Sequence, residues 1–536
     1  MNRKGAAVVN SALWSAYGDS LGFITELATT ANEIRSRSGL SKIITTVPWT
    51  RRIGGRFGVE CSLPAGCYSD DTQLRLAGCR TIRSDGSFDV EAFGKMELPV
   101  WNGYALGAGR GSKAAASALS KDGVTWFSNF YDVRGLSYVL SGGNGGAMRI
   151  QPHVWAASEK SPLTCIVSHI VKNIVCTHGH PRAILGGVFH GLVLKYTMDY
   201  GVVPSLKQCM GLIDDLNLVP DVVESDPEMK LFWLPVWESK TNSSFKEACR
   251  KVQDELRRDL GILERIPLND PGKFYKKSVE QLGGLNENER GSGTKTALLA
   301  LALAFAYGPA DIVDALTISA NFLGSDTDSI ATMAGALLGS LAEVEPAGDI
   351  LDREYIRSMA ERCAEISSGK SVDHIQYPDL MEWKPPRTQQ DCVVGTDSGL
   401  EVLILGRVIS EGDTFVSRSA NPGIWQWLRV ESGQTVLIKR KQTPDPLRDS
   451  KQTTTRSVAA KERPHKQEDL KMQTTENKQE GKSIDDLTRE AIRSGFDPSL
   501  IGSHILLLCE SSEGVEKTIA YAAIIAKARI ARRTKR

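Results

Sequence analysis

The stretch Gly324-Ser325-Asp326-Thr327-Asp328-Ser329 constrains this chain more than any other. Two carboxylates and three hydroxyls occupy the five positions from Ser325 to Ser329. A long apolar segment, Ala297 to Phe322, leads in, and a small-residue segment, Ile330 to Leu341, leads out. The pattern puts the acids at the start of a helix, where free N–H groups and the positive dipole end favour anions. One reading is ordinary capping by Asp and Ser. A cap needs only one oxygen, however, and acids this dense between apolar helices are hard to expose together. Buried, they need a cation. A helix-loop-helix calcium loop fails, because its later ligand positions fall on Ile330 and Ala331 and its turn glycine is missing. The favoured reading is half of a hard-metal site whose other half lies elsewhere.

Tyr68-Ser69-Asp70-Asp71-Thr72 repeats that chemistry ahead of an apolar-periodic helix, Gln73 to Ile82. Two such clusters supply oxygens for two hard cations, each wanting about six ligands. Four carboxylates brought together without metal would repel severely. Near the start, Ala6 to Trp14 reads as an amphipathic helix ending in Gly18-Asp19-Ser20-Leu21-Gly22. Asp19 reads as a cap. Glu26 follows an apolar approach, as a carboxylate facing a pocket or as a partly exposed acid. Gly103 to Gly111 and Gly142 to Gly146 are glycine-rich and let backbone N–H groups approach an anion closely, but neither fits a P-loop or dinucleotide fingerprint. In Thr177-His178-Gly179-His180-Pro181-Arg182 the two histidines lack further soft ligands at zinc spacing, and the Pro reads as a helix start. His178 is a ligand contact or a satisfied buried histidine.

The remaining pattern up to Ile366 is helical, with Leu298 to Phe305 a core helix and no regular strand alternation. Past Trp383-Lys384-Pro385-Pro386 the chain alternates apolar and polar. Glu401 to Val408, Thr414 to Ser417, Trp425 to Glu431 and Gln434 to Lys439 predict a small antiparallel sheet of three or four strands. Thr443 to Lys482 is polar and charged, as expected of a disordered, protease-sensitive linker. Ile484 to Arg536 returns to helical periodicity and ends in a basic run, read as a solvated face. The division is therefore 1–385, 386–442, 443–483 and 484–536, with residues 1–385 expected to fold alone.

Lys and Arg total 65 against 64 Asp and Glu, so the formal charge of +1 gives no global pull toward nucleic acid or membrane. Ten scattered cysteines without a Cys-x-x-Cys pair fit a reducing compartment, here the cytoplasm. No uninterrupted apolar run has the length of a spanning helix.

Taken together, GDSLGFITE (Gly18 to Glu26), YSDDT (Tyr68 to Thr72), GNGGAMR (Gly143 to Arg149), THGHPRA (Thr177 to Ala183) and GSDTDSIATMAGALLGS (Gly324 to Ser340) resemble the ADP-ribosylglycohydrolase family, in order and at plausible spacing over residues 1 to about 385. The resemblance implies a compact, mainly α domain with a cleft for two magnesium ions, in some members manganese. It implies Ser69, Asp70, Asp71, Asp326, Asp328 and Ser329 as metal ligands and Glu26 as the catalytic carboxylate. Asn144, Gly145, Met148 and His178 fall in segments that contact ADP-ribose. The implied reaction is hydrolysis of the bond joining ADP-ribose to a protein, nucleic-acid or small-molecule acceptor. The alternatives are an ADP-ribose-binding module without activity and a structural protein on the same fold. An ADP-ribosylated protein or other acceptor is the expected partner, with nucleic acid not required, no membrane, and the C-terminal module a candidate protein-binding segment. The family usually has Thr where this chain has Ser69 and Ser329, and both keep the oxygen. Arginine-directed members carry an Asp near Gly103 to Gly107; this chain has none, which leaves the acceptor open.

Overall fold

In the computed structural model, which describes residues 3–55, 58–133, 135–380, 382–416, 423–445, 483–510 and 514–533, helices dominate. Chain order gives α1 (Arg3–Thr25), α2 (Ala31–Ser38), the hairpin β1 (Trp49–Ile53) and β2 (Val59–Leu63), then α3 (Asp70–Thr81) and α4 (Arg110–Leu119). The main helices that follow are α5 (Leu163–Val175), α6 (Pro181–Tyr200), α7 (Phe245–Glu264), α8 (Gly293–Tyr307), α9 (Thr327–Gly339) and α10 (Arg353–Ser367). Shorter helical turns connect them.

The expectation for α1 needs correction. It is neither amphipathic nor finished at Gly18; it runs through the glycines to Thr25, and every residue from Val8 to Thr25 is buried. The cause is its packing against α9. A Cβ on Gly18 would strike the Ala331 carbonyl, and one on Gly22 the backbone of Thr327 and Asp328. From the other side, a Cβ on Gly335 would strike the Trp14 backbone, and one on Gly339 the Asn10 carbonyl. Ser11 and Ser15 donate hydrogen bonds to the Ala336 and Thr332 carbonyls, at 2.7 and 2.9 Å. The two helices therefore meet backbone to backbone and antiparallel, with both buried all round. This contact fixes where the start of α9, and hence Asp326 to Ser329, sits relative to the end of α1, which delivers Glu26.

Strands also appear where helix alone was expected. β1 and β2 pair antiparallel with Arg51 opposite Cys61, and β2 alternates buried and exposed residues along VECSL. Beyond the helices, β3 (Val393–Thr396), β4 (Gly399–Val402), β5 (Gly406–Val416), β6 (Ile424–Val430) and β7 (Thr435–Arg440) form one antiparallel sheet in sequence order. The segment Glu401 to Val408 is thus not one strand. The chain reverses at Leu403 to Leu405, with Ile404 at φ 57° and Gly406 at φ 99°, while Val402 to Leu405 are all buried.

The sheet packs into the same compact unit as the helical core. Buried Arg80 on α3 pairs bidentately with Glu97 at 2.7 Å and also donates to Gln434 at 2.8 Å, between β6 and β7. Asp352 accepts from the Thr435 N–H and hydroxyl, each at 2.7 Å. Trp427 on β6 donates to the Ser62 carbonyl of β2 at 3.1 Å, and a Cβ on Gly54 would rest on Trp425. A boundary at 385 therefore cuts through buried polar contacts.

The C-terminal residues, together with Glu224–Trp233, form a separate unit. In it, α11 (Ile484–Arg493), α12 (Pro498–Cys509) and α13 (Gly514–Arg533) share a small core of Leu487, Ala491, Leu508, Tyr521 and Ile525, where His504 Nδ1 lies 2.6 Å from the Tyr521 hydroxyl. Residues 446–482, the Asn421-Pro422 turn and residues 534–536 lie outside the described residues, so the linker expectation does too beyond residue 445. All ten cysteines are free, and only Cys165 and Cys509 are exposed. Among the described residues, no single helix is long and apolar enough to cross a membrane.

Candidate active site

Helix starts position the acids. Ser69 is the N-cap of α3 and accepts from the Asp71 N–H at 3.2 Å, so Asp70 and Asp71 open that helix. Buried Asp19, on α1, accepts from the Ser69 and Thr72 N–H groups at 3.0 Å and from the Thr72 hydroxyl at 2.6 Å. The capping role read for Asp19 holds, but the helix it caps is α3, across the core.

Asp326 sits at the N-cap of α9 yet makes no capping hydrogen bond. Its Oδ2 instead accepts from Asn144 Nδ2 at 2.7 Å, on the glycine-rich loop. That loop is docked: the Asn144 N–H donates to the Gly291 carbonyl at 2.8 Å, and Asn144 Nδ2 also reaches Thr296 Oγ1 at 3.1 Å on α8. Asp328 accepts from the Ser329 N–H, and the Ser329 hydroxyl faces Met148 Sδ at 4.0 Å. Simple capping therefore does not account for these two acids.

The remaining site residues join the same place. Gly145 packs against the His178 ring, which a Cβ there would approach to 3.0 Å. His178 is buried, and its Nδ1 lies 2.7 Å from Thr177 Oγ1. Buried Arg149 fastens this corner by donating to the Gly145 carbonyl, Thr177 Oγ1 and both oxygens of Asn173, at 2.8 to 3.1 Å. Gly107, at φ 74°, lies where a Cβ would meet Phe23, Ser69 and Asp70 Oδ1.

Sequence comparison covers the stretch that carries these motifs. Residues 6–371 fit the profile of the ADP-ribosylglycohydrolase family. The chain belongs to that family. A solved structure described as an ADP-ribosylglycohydrolase-related protein complex aligns with a TM-score of 0.45 at 17% identity, over 68% of this chain and 100% of that one. No curated protein matches the chain.

In this ADP-ribosylglycohydrolase relative the acids share one electrostatic problem. Burial pushes Asp70, Asp71 and Asp328 well above the usual carboxylate range, and their neighbours' charges push further: Glu26 and Asp19 on Asp70; Asp19, Asp70 and Asp326 on Asp71; Glu26, Asp326 and Asp71 on Asp328. Asp71 Oδ2 has no partner at hydrogen-bond geometry among the described residues, although Thr332 lies near enough to ease its charge. Burial holds His178 down to about 3, so it is a neutral ring at any ordinary pH.

Among the described residues, no three His, Cys, Asp or Glu side chains stand close enough to hold a metal on their own. The donor chemistry still suits a hard cation: carboxylates and hydroxyls only, with a buried carboxylate oxygen left unpartnered.

Glu26 lies just past α1, with its side chain 15% exposed. Burial raises its carboxyl, Arg51 opposes that, and Asp326 adds repulsion. Arg51 Nη1 stands 2.8 Å from Glu26 Oε2, off the axis of a hydrogen bond, so the contact is an ion pair. Arg51, Arg37 and Arg149 were not among the sequence-derived site residues. The alternation in VECSL was a signal for the hairpin, but only the folded register puts Arg51 on Glu26.

Proposed function

We propose that this protein is a divalent-metal-dependent hydrolase that cleaves the glycosidic bond between ADP-ribose and an acceptor, reversing ADP-ribosylation. The observation that carries the reading is the meeting of Asp326 with the Asn144 loop. A helix-start acid that declines its cap and instead reaches the glycine-rich loop joins the acid cluster to the segment assigned to ADP-ribose.

Two magnesium ions, with manganese an alternative, would be held by Ser69, Asp70, Asp71, Asp326, Asp328 and Ser329. Bound there, they would neutralise the acids and polarise the oxygens they touch. Gly145 offers a backbone N–H to the diphosphate, and Asn144, whose own donors go to Gly291, Asp326 and Thr296, holds that loop in place. Neutral His178 offers a hydrogen bond without adding charge, and Met148 supplies an apolar wall. Glu26 takes a proton from the attacking water as the water oxygen bonds to the anomeric carbon; the bond to the acceptor breaks, and Glu26 hands that proton on to the departing atom. Burial raises the Glu26 carboxyl against the pull of Arg51, and a raised carboxylate is a stronger base than an exposed one.

The test is a panel of substrates ADP-ribosylated on Arg, Ser, Asp or Glu, and nucleic-acid bases, assayed with magnesium. Release of ADP-ribose from at least one is expected. Binding of ADP-ribose without release from any would make the protein a reader, and neither binding nor release would make it structural.

A further inference from the structure

Glu26 is gripped from two sides. Its carbonyl and that of Ile24, both at the open C-terminal end of α1, accept from Arg37 Nη1 on α2 at 2.8 and 2.9 Å. The next residue, Leu27, takes a left-handed conformation at φ 60° without being glycine. The backbone under Glu26 is thus pinned by an arginine acting as a helix C-cap, at the end where a cation suits the dipole. The side chain is held separately. Arg51 reaches Glu26 Oε2 from β1 while its guanidinium lies over the Phe23 ring, 4.6 Å from the centroid, with Trp49 edge-on to Phe23 at 5.1 Å. A guanidinium stacked on one ring and fixed in strand register has little freedom.

We propose that Arg51 is the positioning residue for Glu26. It fixes the carboxylate's direction and sets a cation against it on the side of the Phe23 ring. This rests on the reading of Glu26 as the proton-transfer group. The sheet has a part as well, because Trp427 and Trp425 brace the β1–β2 hairpin that carries Arg51.

Arg51→Met keeps a stem over Phe23 and removes the charge; Arg51→Lys keeps the charge without the planar head. Steady-state turnover of the best substrate from the panel is compared in wild type, both variants, Glu26→Gln and the double variant Glu26→Gln/Arg51→Met. Arg51→Met should lower kcat by about 10- to 100-fold, the scale of a misplaced catalytic group. KM should stay within about threefold, because substrate affinity is not what is lost. Lys should recover most of the loss, and Arg51→Met should cost nothing further once Glu26 is Gln. Magnesium binding by calorimetry should be unchanged. Should Arg51→Met fail to melt cooperatively, Arg51→Gln carries the same comparison. Unchanged kcat, a rise in KM alone, a full further loss in the Glu26→Gln background, or lost magnesium binding each overturns the assignment of Arg51. A wild-type chain that turns over no substrate overturns the hydrolase reading itself, and the Arg51 role with it.

Discussion

Single residues in this site divide by what they touch. In the proposed metal site Asp326 and Asp328 are ligands, so Asp326→Asn together with Asp328→Asn should abolish magnesium binding by calorimetry and leave helical content nearly unchanged. Undiminished affinity would place the cation elsewhere. Glu26 stands beside the cluster with a cationic partner of its own, so its loss should act on rate. Glu26→Gln is expected to keep magnesium and ADP-ribose affinity within a few fold and lower turnover by about 10²–10⁴, the usual contribution of one acid or base. Loss of metal in that variant would move Glu26 into the ligand set. The acids also set an unusual pH dependence. Burial and mutual repulsion raise Asp70, Asp71 and Asp328 well above the usual carboxylate range, so in chelator each binds protons more tightly folded than unfolded. Their contribution is full below about 3.8 and lost as pH rises through the raised values, opposite to acid denaturation. Thermal midpoints in EDTA should therefore fall with rising pH in wild type more steeply than in Asp70→Asn/Asp328→Asn, and magnesium should flatten the wild-type curve. Parallel curves for the two proteins would refute this.

At the scale of elements, the decisive contact is α1 against α9. Gly335→Ala places a methyl 2.5 Å from the Trp14 carbonyl oxygen, with no flexible side chain there to yield. The helices must part, at about 1–3 kcal/mol, as for other overpacked contacts. Urea unfolding should show that loss, and magnesium affinity should fall with it, because parting the helices moves the start of α9. An unchanged midpoint would mean the contact is slack. This element pair also marks how far the chain could be read. The acid clusters, the helix starts they sit on and the run from Leu298 to Phe305 were legible, because local composition decides them. The length of α1 was not. Gly18 and Gly22 look like a helix end until the glycines on the partner helix are seen to need them. The hairpin was missed for a related reason: five-residue strands give little periodicity, and the pairing of Arg51 with Glu26 exists only across two elements. Asp19 was legible as a cap but not as the cap of a helix fifty residues away.

For the whole molecule, composition suggested a catalytic domain ending near 385 and a separable sheet. The buried contacts argue for a larger folding unit. Removing residues after 385 would strip Gln434 from Arg80 and Thr435 from Asp352, and would uncover Gly103, against which buried Cys392 packs. Arg80 would keep Glu97, but the face opened around it would be apolar as well, since Val402 to Leu405 and Val436 to Ile438 are all buried. Buried polar groups that lose a partner cost about 1–3 kcal/mol each. The same cut would unbrace the β1–β2 hairpin behind Glu26. A fragment of residues 1–445 should therefore be soluble, melt cooperatively and bind magnesium as the full chain does. A fragment of residues 1–385 should aggregate or melt at a distinctly lower temperature, and any soluble fraction should lose turnover more than it loses magnesium binding, because the hairpin serves Glu26 while α3 and α9 hold the acids. Equal melting and equal turnover of the two fragments would show that the sheet is only an appendage.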